Sequence, residues 1–187
     1  VFYVDVQYSS GMLMVTDASP AQTVTLTVAA TTEDDAQIAL ERVHLIVRPF
    51  ADVVQIGEML VVSNFGDAAY VGSPLADGTL ATIRIPLPAG AVQVALESGE
   101  LGARFVEVDG GIADTQSVPP GRSVDQIVVS YNLPPQTEAW TLEYTFPYPV
   151  HALNVLVADA GWQLASEALT FKGVMGGADT AFLNYAG

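Results

Sequence analysis

Three consecutive carboxylates, Glu33, Asp34 and Asp35, stand ahead of His44 in the stretch TTEDDAQIALERVHLIV. A hard cation such as Ca²⁺ takes about six to eight oxygen ligands. Neighbouring side chains of an extended chain face opposite ways, so only Glu33 and Asp35 can face one ion together. The stretch lacks the glycine and the alternating acids of a calcium loop. We therefore favour a solvated turn between strands and keep a Ca²⁺ site at Glu33 and Asp35 as the alternative. His44, inside an apolar run, is interpreted as structural.

A second acidic group occurs in EVDGGIADTQ, where Asp109 and Asp114 flank a Gly-Gly pair. Asp-Gly-Gly is first of all a turn signal. Loop carboxylates and carbonyls are also the ligands that Ca²⁺ prefers, so an exposed site at Asp109 and Asp114 is the alternative interpretation.

Residues for covalent or acid–base catalysis are few. The chain has two histidines and no cysteine, and it contains no G-x-S-x-G elbow, phosphate-binding glycine loop or dinucleotide fingerprint. His151 lies beside a predicted strand with no flanking signal. Glu58 and Glu143 are the conceivable carboxylate pair of a glycosidase, but alternation places Glu143 on the polar face of a strand. The sequence predicts a protein that is not an enzyme and needs no cofactor.

Aromatic side chains form one row and one isolated site. Trp140, Tyr144 and Phe146 share a face of WTLEYTF, and their alternates are Thr and Glu, so the row is predicted to face the core. Trp162, which follows Ala-Gly, is predicted to lie near a hairpin tip and to be partly exposed. It is the better candidate for stacking on a sugar ring or contacting a partner.

Net charge restricts the partners. The formal charge is −15, and Lys172 is the single lysine. Such a surface repels phosphate backbones and anionic membranes, so nucleic acid and direct membrane docking are excluded as partners. The absence of cysteine and the scarcity of lysine favour an extracytoplasmic location. No apolar run reaches the roughly 18 residues that span a bilayer. The start VFYVDVQYSS, without Met or signal segment, suggests a mature piece of a longer precursor.

Period-2 alternation dominates the chain and predicts an all-β fold. Turn signals every ten to fifteen residues favour an antiparallel, Ig-like Greek-key β-sandwich with little helix. Near-continuous apolar runs at 43–47, 58–64 and 152–158 are predicted to be strands buried on both faces. Three regions are expected: residues 1–30 are terminal strands of a preceding β module or join the main sandwich, residues 31–175 are the main sandwich, and residues 176–187 are a C-terminal tail or linker. Within the first region we predict strands at 2–8, 11–16 and 22–28.

A family resemblance rests on five phrases in order: ATTEDDAQIALERVHLIV, GEMLVVSNFGDAAYVG, RIPLPAGA, DTQSVPPG and VVSYNLP. They resemble a group of uncharacterised bacterial exported proteins. In these, a carboxypeptidase-regulatory-like (transthyretin-like) β-domain precedes a second β-sandwich and often a C-terminal membrane anchor. The resemblance covers roughly Phe2 to Gly173. It implies that FYVDVQYSSG closes the first module and that LTFKGVMGGADTAFLNYAG leads toward the anchor. It implies architecture and location, and no catalytic motif.

The leading functional hypothesis is a non-catalytic, extracytoplasmic structural or protein-interaction module within a cell-surface filament or envelope complex. Strand 2–8, near the start of the chain, is a candidate for self-association by pairing with a neighbour's open sheet edge. The alternative is a ligand-binding module for carbohydrate or Ca²⁺.

Overall fold

A computed structural model describes residues 2–3, 6–8, 12–135, 140–177 and 181–187. The predicted all-β class is confirmed, because these residues form strands and turns and no helix. No segment among them is therefore a helix that could cross a membrane. The strands are β1 Phe2–Tyr3, β2 Val6–Gln7, β3 Thr31–Thr32, β4 Ile38–Pro49, β5 Val54–Asn64, β6 Ala69–Tyr70, β7 Ser73–Pro74, β8 Leu80–Ala81, β9 Arg84–Pro86, β10 Val92–Leu96, β11 Phe105–Val108, β12 Gly111–Asp114, β13 Gly121–Leu133, β14 Leu153–Ala158, β15 Thr170–Met175 and β16 Phe182–Ala186.

The largest sheet has seven strands in the order β10-β13-β5-β4-β14-β16-β15. All of its neighbours run antiparallel except β14, which pairs parallel with β4. Parallel neighbours require a long crossover, and residues 134–152 provide it between β13 and β14. The wholly antiparallel prediction is therefore wrong at this pair. The Greek-key connectivity stays a prediction.

A three-stranded sheet, β11-β12-β9, supplies the second layer. Phe105, Ile85 and Ile112 from this sheet form one buried cluster with side chains of the central strands of the large sheet, such as Ile56 and Tyr131. Burial of this apolar surface is the main favourable term in folding. The core therefore lies between the two sheets.

Central strands of the large sheet are buried on one face only. Along β5, Ile56, Glu58 and Leu60 are buried, whereas the alternating residues Met59 and Val61 are half-buried. Strands β4 and β14 show the same alternation. The prediction that these runs are buried on both faces is wrong for most of their length, because the alternate residues are only half-buried; at the end of β5, however, Val62, Ser63 and Asn64 are all buried.

The amino-terminal region departs from its predicted strands. Strand 2–8 falls partly outside the described residues, and within it β1 pairs antiparallel with β2 instead of forming one strand. Position 11 of the predicted strand 11–16 also lies outside them. Residues 12–30 contain no strand and only a two-residue bridge, Thr16 with Ser19. The alternation of TVTLTV is real, but the fold supplies no neighbouring strand for it to pair with.

The predicted C-terminal tail or linker, residues 176–187, is wrong for Phe182–Ala186. These residues form β16, which lies inside the large sheet between β14 and β15. Tyr185 of this strand is buried in the core. The main folded unit therefore extends beyond position 175, and β15 is the outer strand at this end of the large sheet.

The predicted strand WTLEYTF is extended but forms no strand ladder. Its alternation survives, since Trp140, Tyr144 and Phe146 pack half-buried against the core, as the prediction of a core face requires. A neighbouring tyrosine explains the missing ladder. The Tyr148 hydroxyl accepts a hydrogen bond from the Arg84 backbone N–H at 3.2 Å and donates to a backbone carbonyl at 2.8 Å. These two bonds occupy the backbone N–H of Arg84 in β9 and the carbonyl of Thr82 just before it, groups that a pairing strand would need.

Candidate functional site

A buried carboxylate, Glu58, lies at the centre of the core. The alternation of β5 turns its side chain inward, where it is 2% exposed. The Tyr131 hydroxyl donates to Glu58 Oε1 at 2.5 Å, and the Tyr144 hydroxyl donates to the same oxygen at 2.8 Å. The two hydroxyls also contact each other. Buried polar groups need such partners, and this cluster joins the large sheet to the extended segment 140–147.

Burial sets the ionisation of this cluster. It raises the pKa of Glu58, and the hydrogen bonds from Tyr131 and Tyr144 lower that pKa by less. Burial, together with the charge of Glu58, raises the pKa of both tyrosines. Burial therefore shifts Glu58 toward its neutral form and keeps both phenols neutral.

The cavity beside Glu58 is too small for a substrate. Its volume is about 10 Å³, and its lining includes Leu60, Ile85, Tyr144 and Phe146. A volume of this size holds roughly one water, whereas ligand pockets measure about 300–1,000 Å³. Glu58 is therefore a polar element of the core, and it has no space in which to act on a substrate.

Asp114, a predicted Ca²⁺ candidate, forms a buried ion pair with Arg104. It is 1% exposed, and Arg104 Nε lies 3.0 Å from each of its carboxylate oxygens. Arg104 also pairs with Asp125 and donates to the Ser98 carbonyl at 3.2 Å. Such forked contacts between a guanidinium and a carboxylate are the strong ones. The ion pair ties β12 to β13 and leaves Asp114 without free oxygens for a cation.

The other acidic candidates are separated from one another. Asp109 is exposed in the turn between β11 and β12, whereas Asp114 pairs with Phe105 at the far end of that hairpin. Glu33 and Asp35 are exposed in the turn between β3 and β4, which is a solvated turn as favoured from the sequence. Among the residues that the structure describes, no group of three or more His, Asp or Glu side chains is placed to hold a metal ion.

His44 belongs to the half-buried face of β4, where it lies between Met59 and Asn154 on the neighbouring strands. Burial lowers its pKa, and the nearby charge of Arg42 lowers it further. Among the described residues, no hydrogen bond links His44 to Glu33 or Asp35. Its place within the sheet agrees with a structural role.

A cluster that the sequence did not reveal surrounds Glu41. The Ser63 and Ser123 hydroxyls donate to Glu41 Oε2 at 2.7 and 3.0 Å, and these two bonds lower the pKa of Glu41. Register shifts in β4 and β13 bring the three residues together, and Ser123 has a φ of 49°. Both serines donate directly to the carboxylate, so no imidazole stands between acid and nucleophile as triad catalysis requires. Bulges of this kind leave no signal in the alternation pattern.

Trp162 lies in the loop between β14 and β15 and is half-buried against the core cluster. It is partly exposed, as predicted. Trp140, Tyr144 and Phe146 do not extend it into an exposed aromatic row, since they turn toward the core.

Many of the large exposed apolar side chains belong to two elements, a segment that forms no strand and a strand at the edge of the large sheet. The first is the N-terminal segment, defined as residues 12–30, where Met12 is 94% exposed. The second is β15, whose exposed side chains are Phe171, Val174 and Met175. A contiguous exposed apolar surface marks a contact site more often than a solvated one. These two elements are the candidate interaction site.

Comparison with known proteins gives a likeness to solved structures alone. Neither a family model nor a curated protein sequence matches the chain. It is similar to part of the M1 zinc metallopeptidase from Deinococcus radiodurans, with a TM-score of 0.40 and 13% identity over 80% of this chain and 39% of that chain. A substrate-bound variant of that enzyme gives the same values. The chain thus spans well under half of the enzyme's length, and this likeness carries no functional argument.

Proposed function

We propose that the chain is a non-catalytic, extracytoplasmic β-sandwich module that makes protein–protein contacts within a cell-surface or envelope assembly. The observation that carries the proposal is the N-terminal segment. Met12, Leu13, Met14 and Val15 are all exposed, and none of them pairs with a strand among the described residues. A segment outside any strand that presents apolar side chains suits addition to the sheet of another module.

The polar groups support the non-catalytic part of the proposal. Within each of the described clusters around Glu58, Asp114 and Glu41 the polar side chains hydrogen-bond one another, and the cavity beside Glu58 is too small for a substrate. Structural networks also perturb pKa values, so the shifts at these groups do not by themselves indicate catalysis. The carbohydrate or Ca²⁺ alternative gains no specific observation, because the predicted ligands are dispersed and Trp162 packs against the core.

Composition supports the location. The formal charge of −15, the absence of cysteine and the resemblance to exported proteins favour a compartment outside the cytoplasm. A strongly acidic surface also keeps such a module soluble, while its contact elements carry few charges, Asp17 in the N-terminal segment and Lys172 in β15.

Site-specific photo-crosslinking in the source cells tests the proposal. A photo-reactive amino acid is placed at Val15 or Phe171 in the protein expressed in these cells, and at Asp52, in the exposed β4–β5 turn, as a control. We expect discrete cross-linked protein bands from the first two positions, an unmodified Asp52 control, and labelling by a reagent that cannot enter the cytoplasm. A cytoplasmic protein, or equal cross-linking at all three positions, would contradict the proposal.

A further inference from the structure

We infer that one partner is a second copy of this chain, a step that rests on the proposed function. Residues Thr23–Val28 of one copy add as a strand to the open edge of β15 in the next copy. The donor and acceptor are different surfaces, so the association is head-to-tail, and it builds either a closed ring or a filament.

The donor stretch has the pattern of a strand without a sheet. Val24, Leu26 and Val28 alternate with threonines, which is typical of a strand with one apolar face. Val24 and Val28 are exposed, and neither belongs to a strand ladder in the part of the chain that the structure describes.

The acceptor is the outermost strand of the large sheet. Within the described residues β15 pairs only with β16, so the backbone groups of its outer edge have no strand partner. Phe171, Val174 and Met175 are exposed on this strand. It spans six residues, the same length as the donor stretch TVTLTV. An unpaired edge of this kind is a template for another strand.

Charge favours this pair of surfaces over others on two acidic copies. Positions 18–32 carry no ionisable side chain, although the chain as a whole has a formal charge of −15. The only charged residue of β15 is Lys172, the single lysine of the chain. Its charge attracts an acidic copy and opposes the pairing of one β15 with another. An uncharged donor on a basic edge therefore meets the least repulsion.

The opposite edge of the sheet is protected. In β10 the register shifts between Val92 and Ala95, and Gln93 has a left-handed φ of 54°. Such a bulge twists an edge away from pairing. Strand β15 has its own register shift between Phe171 and Gly173, which shortens its regular stretch. A single short strand buries little surface, so we expect weak association, with Kd on the order of 10–100 µM.

Engineered cysteines test the contact directly, because the chain has none of its own. Val24→Cys and Val174→Cys proteins are mixed at about 100 µM, near the expected Kd, and oxidised. We expect a mixed disulfide dimer from this pair. The exposed Phe50→Cys protein serves as the partner in the control mixture and is expected to give at least tenfold less cross-linked product.

Sedimentation velocity over a concentration series provides the second readout. Wild-type protein is expected to shift from monomer to larger species. The Thr25→Pro variant removes a backbone donor from the exposed stretch and is expected to stay monomeric with an unchanged circular dichroism spectrum. Leu13→Pro, in the same segment but outside the donor stretch, is expected to associate like wild type.

Several results would overturn the inference: a strictly monomeric wild type, equal cross-linking with Phe50→Cys, loss of association in Leu13→Pro but not in Thr25→Pro, or a disulfide within a monomer that carries both Val24→Cys and Val174→Cys. None of these touches the proposed function, which photo-crosslinking to a different envelope protein would still support. A cytoplasmic location would remove the proposed function whatever the result of the cysteine experiment.

Discussion

Replacing Glu58 by Gln separates the burial of this carboxyl from its charge. Burial raises the folded-state pKa of Glu58 above its ordinary value of 4.5. A raised pKa in the folded state means that the neutral acid stabilises the fold. This contribution is complete below the unfolded-state pKa and is lost as the pH rises through the folded-state pKa. Glutamine keeps a neutral oxygen that accepts hydrogen bonds from Tyr131 and Tyr144 and removes the titration.

The magnitude follows from the linkage between protonation and folding. Between the two pKa values of one carboxyl, the free energy of unfolding falls by up to about 1.4 kcal/mol per pH unit. The Glu58→Gln protein lacks this contribution. Its free energy of unfolding relative to wild type therefore rises with pH and reaches a plateau above the folded-state pKa. In a domain of this size each kcal/mol moves the melting temperature by roughly 2–4 °C.

Urea unfolding from pH 4.5 to 8.5, followed by tryptophan fluorescence and circular dichroism, measures this difference. Effects of the overall negative charge occur in both proteins and cancel in the difference. Glu143→Gln is the matched control, since Glu143 is exposed one residue before Tyr144, and its difference from wild type is expected to be flat with pH. A flat difference for Glu58→Gln as well, or a variant less stable than wild type at pH 8, would refute the reasoning.

Three further predictions concern the ion pair, a close backbone approach and the acidic turns. Arg104→Ala leaves the Asp114 carboxylate buried without its partner and is expected to cost about 3–5 kcal/mol in urea unfolding, while Arg122→Ala, at an exposed ion pair, leaves the midpoint unchanged. Gly111→Ala places a Cβ atom 2.2 Å from a carbonyl oxygen of β9, so the melting temperature of this variant is expected to fall strongly. Gly110→Ala is the control and is expected to lose much less, because its Cβ meets open space and only the φ of 74° is unfavourable. Equal losses in the two variants would contradict this account. Calcium at about 5 mM is expected to leave the melting temperature unchanged, because a ligand that binds only the folded state must raise it; a rise of several degrees would reveal a site formed by these carboxylates.

Alternation along the sequence predicts the faces of strands better than their pairing. It identified the inward row of Trp140, Tyr144 and Phe146, because the apolar period depends on local packing alone. The same pattern wrongly predicted that row and Thr23–Val28 as strands. A ladder needs a free neighbouring edge, and the position of that edge is decided by residues far away in sequence, such as Tyr148 at β9.

Contacts between distant polar residues were the least predictable feature. Asp114 reads as a loop carboxylate after Gly-Gly-Ile-Ala, yet its partner Arg104 lies across a hairpin and buries it. Glu58 sits in an apolar run, and only the positions of Tyr131 and Tyr144 show how its burial is tolerated. Register shifts that gather Ser63 and Ser123 around Glu41 involve single extra residues, which a period of two does not reveal.

The buried network and the exposed elements have different roles: the network joins segment 140–147 to the large sheet, and the exposed elements are available for contacts. Burying a carboxyl such as Glu58 is costly unless hydrogen bonds satisfy it, and removing either tyrosine hydroxyl takes a hydrogen bond from a buried acceptor. Such a network fixes how segment 140–147 lies on the large sheet and makes the sandwich rigid. The N-terminal segment, in contrast, forms no strand among the described residues, β15 has a strand partner on one side only, and both keep apolar side chains in water. A second copy of the chain can satisfy both elements, because the uncharged stretch of one copy can pair with the open edge of β15 in the other. Self-association is therefore tested at Thr23–Val28 and β15, whereas the buried network is tested through the pH dependence of the free energy of unfolding.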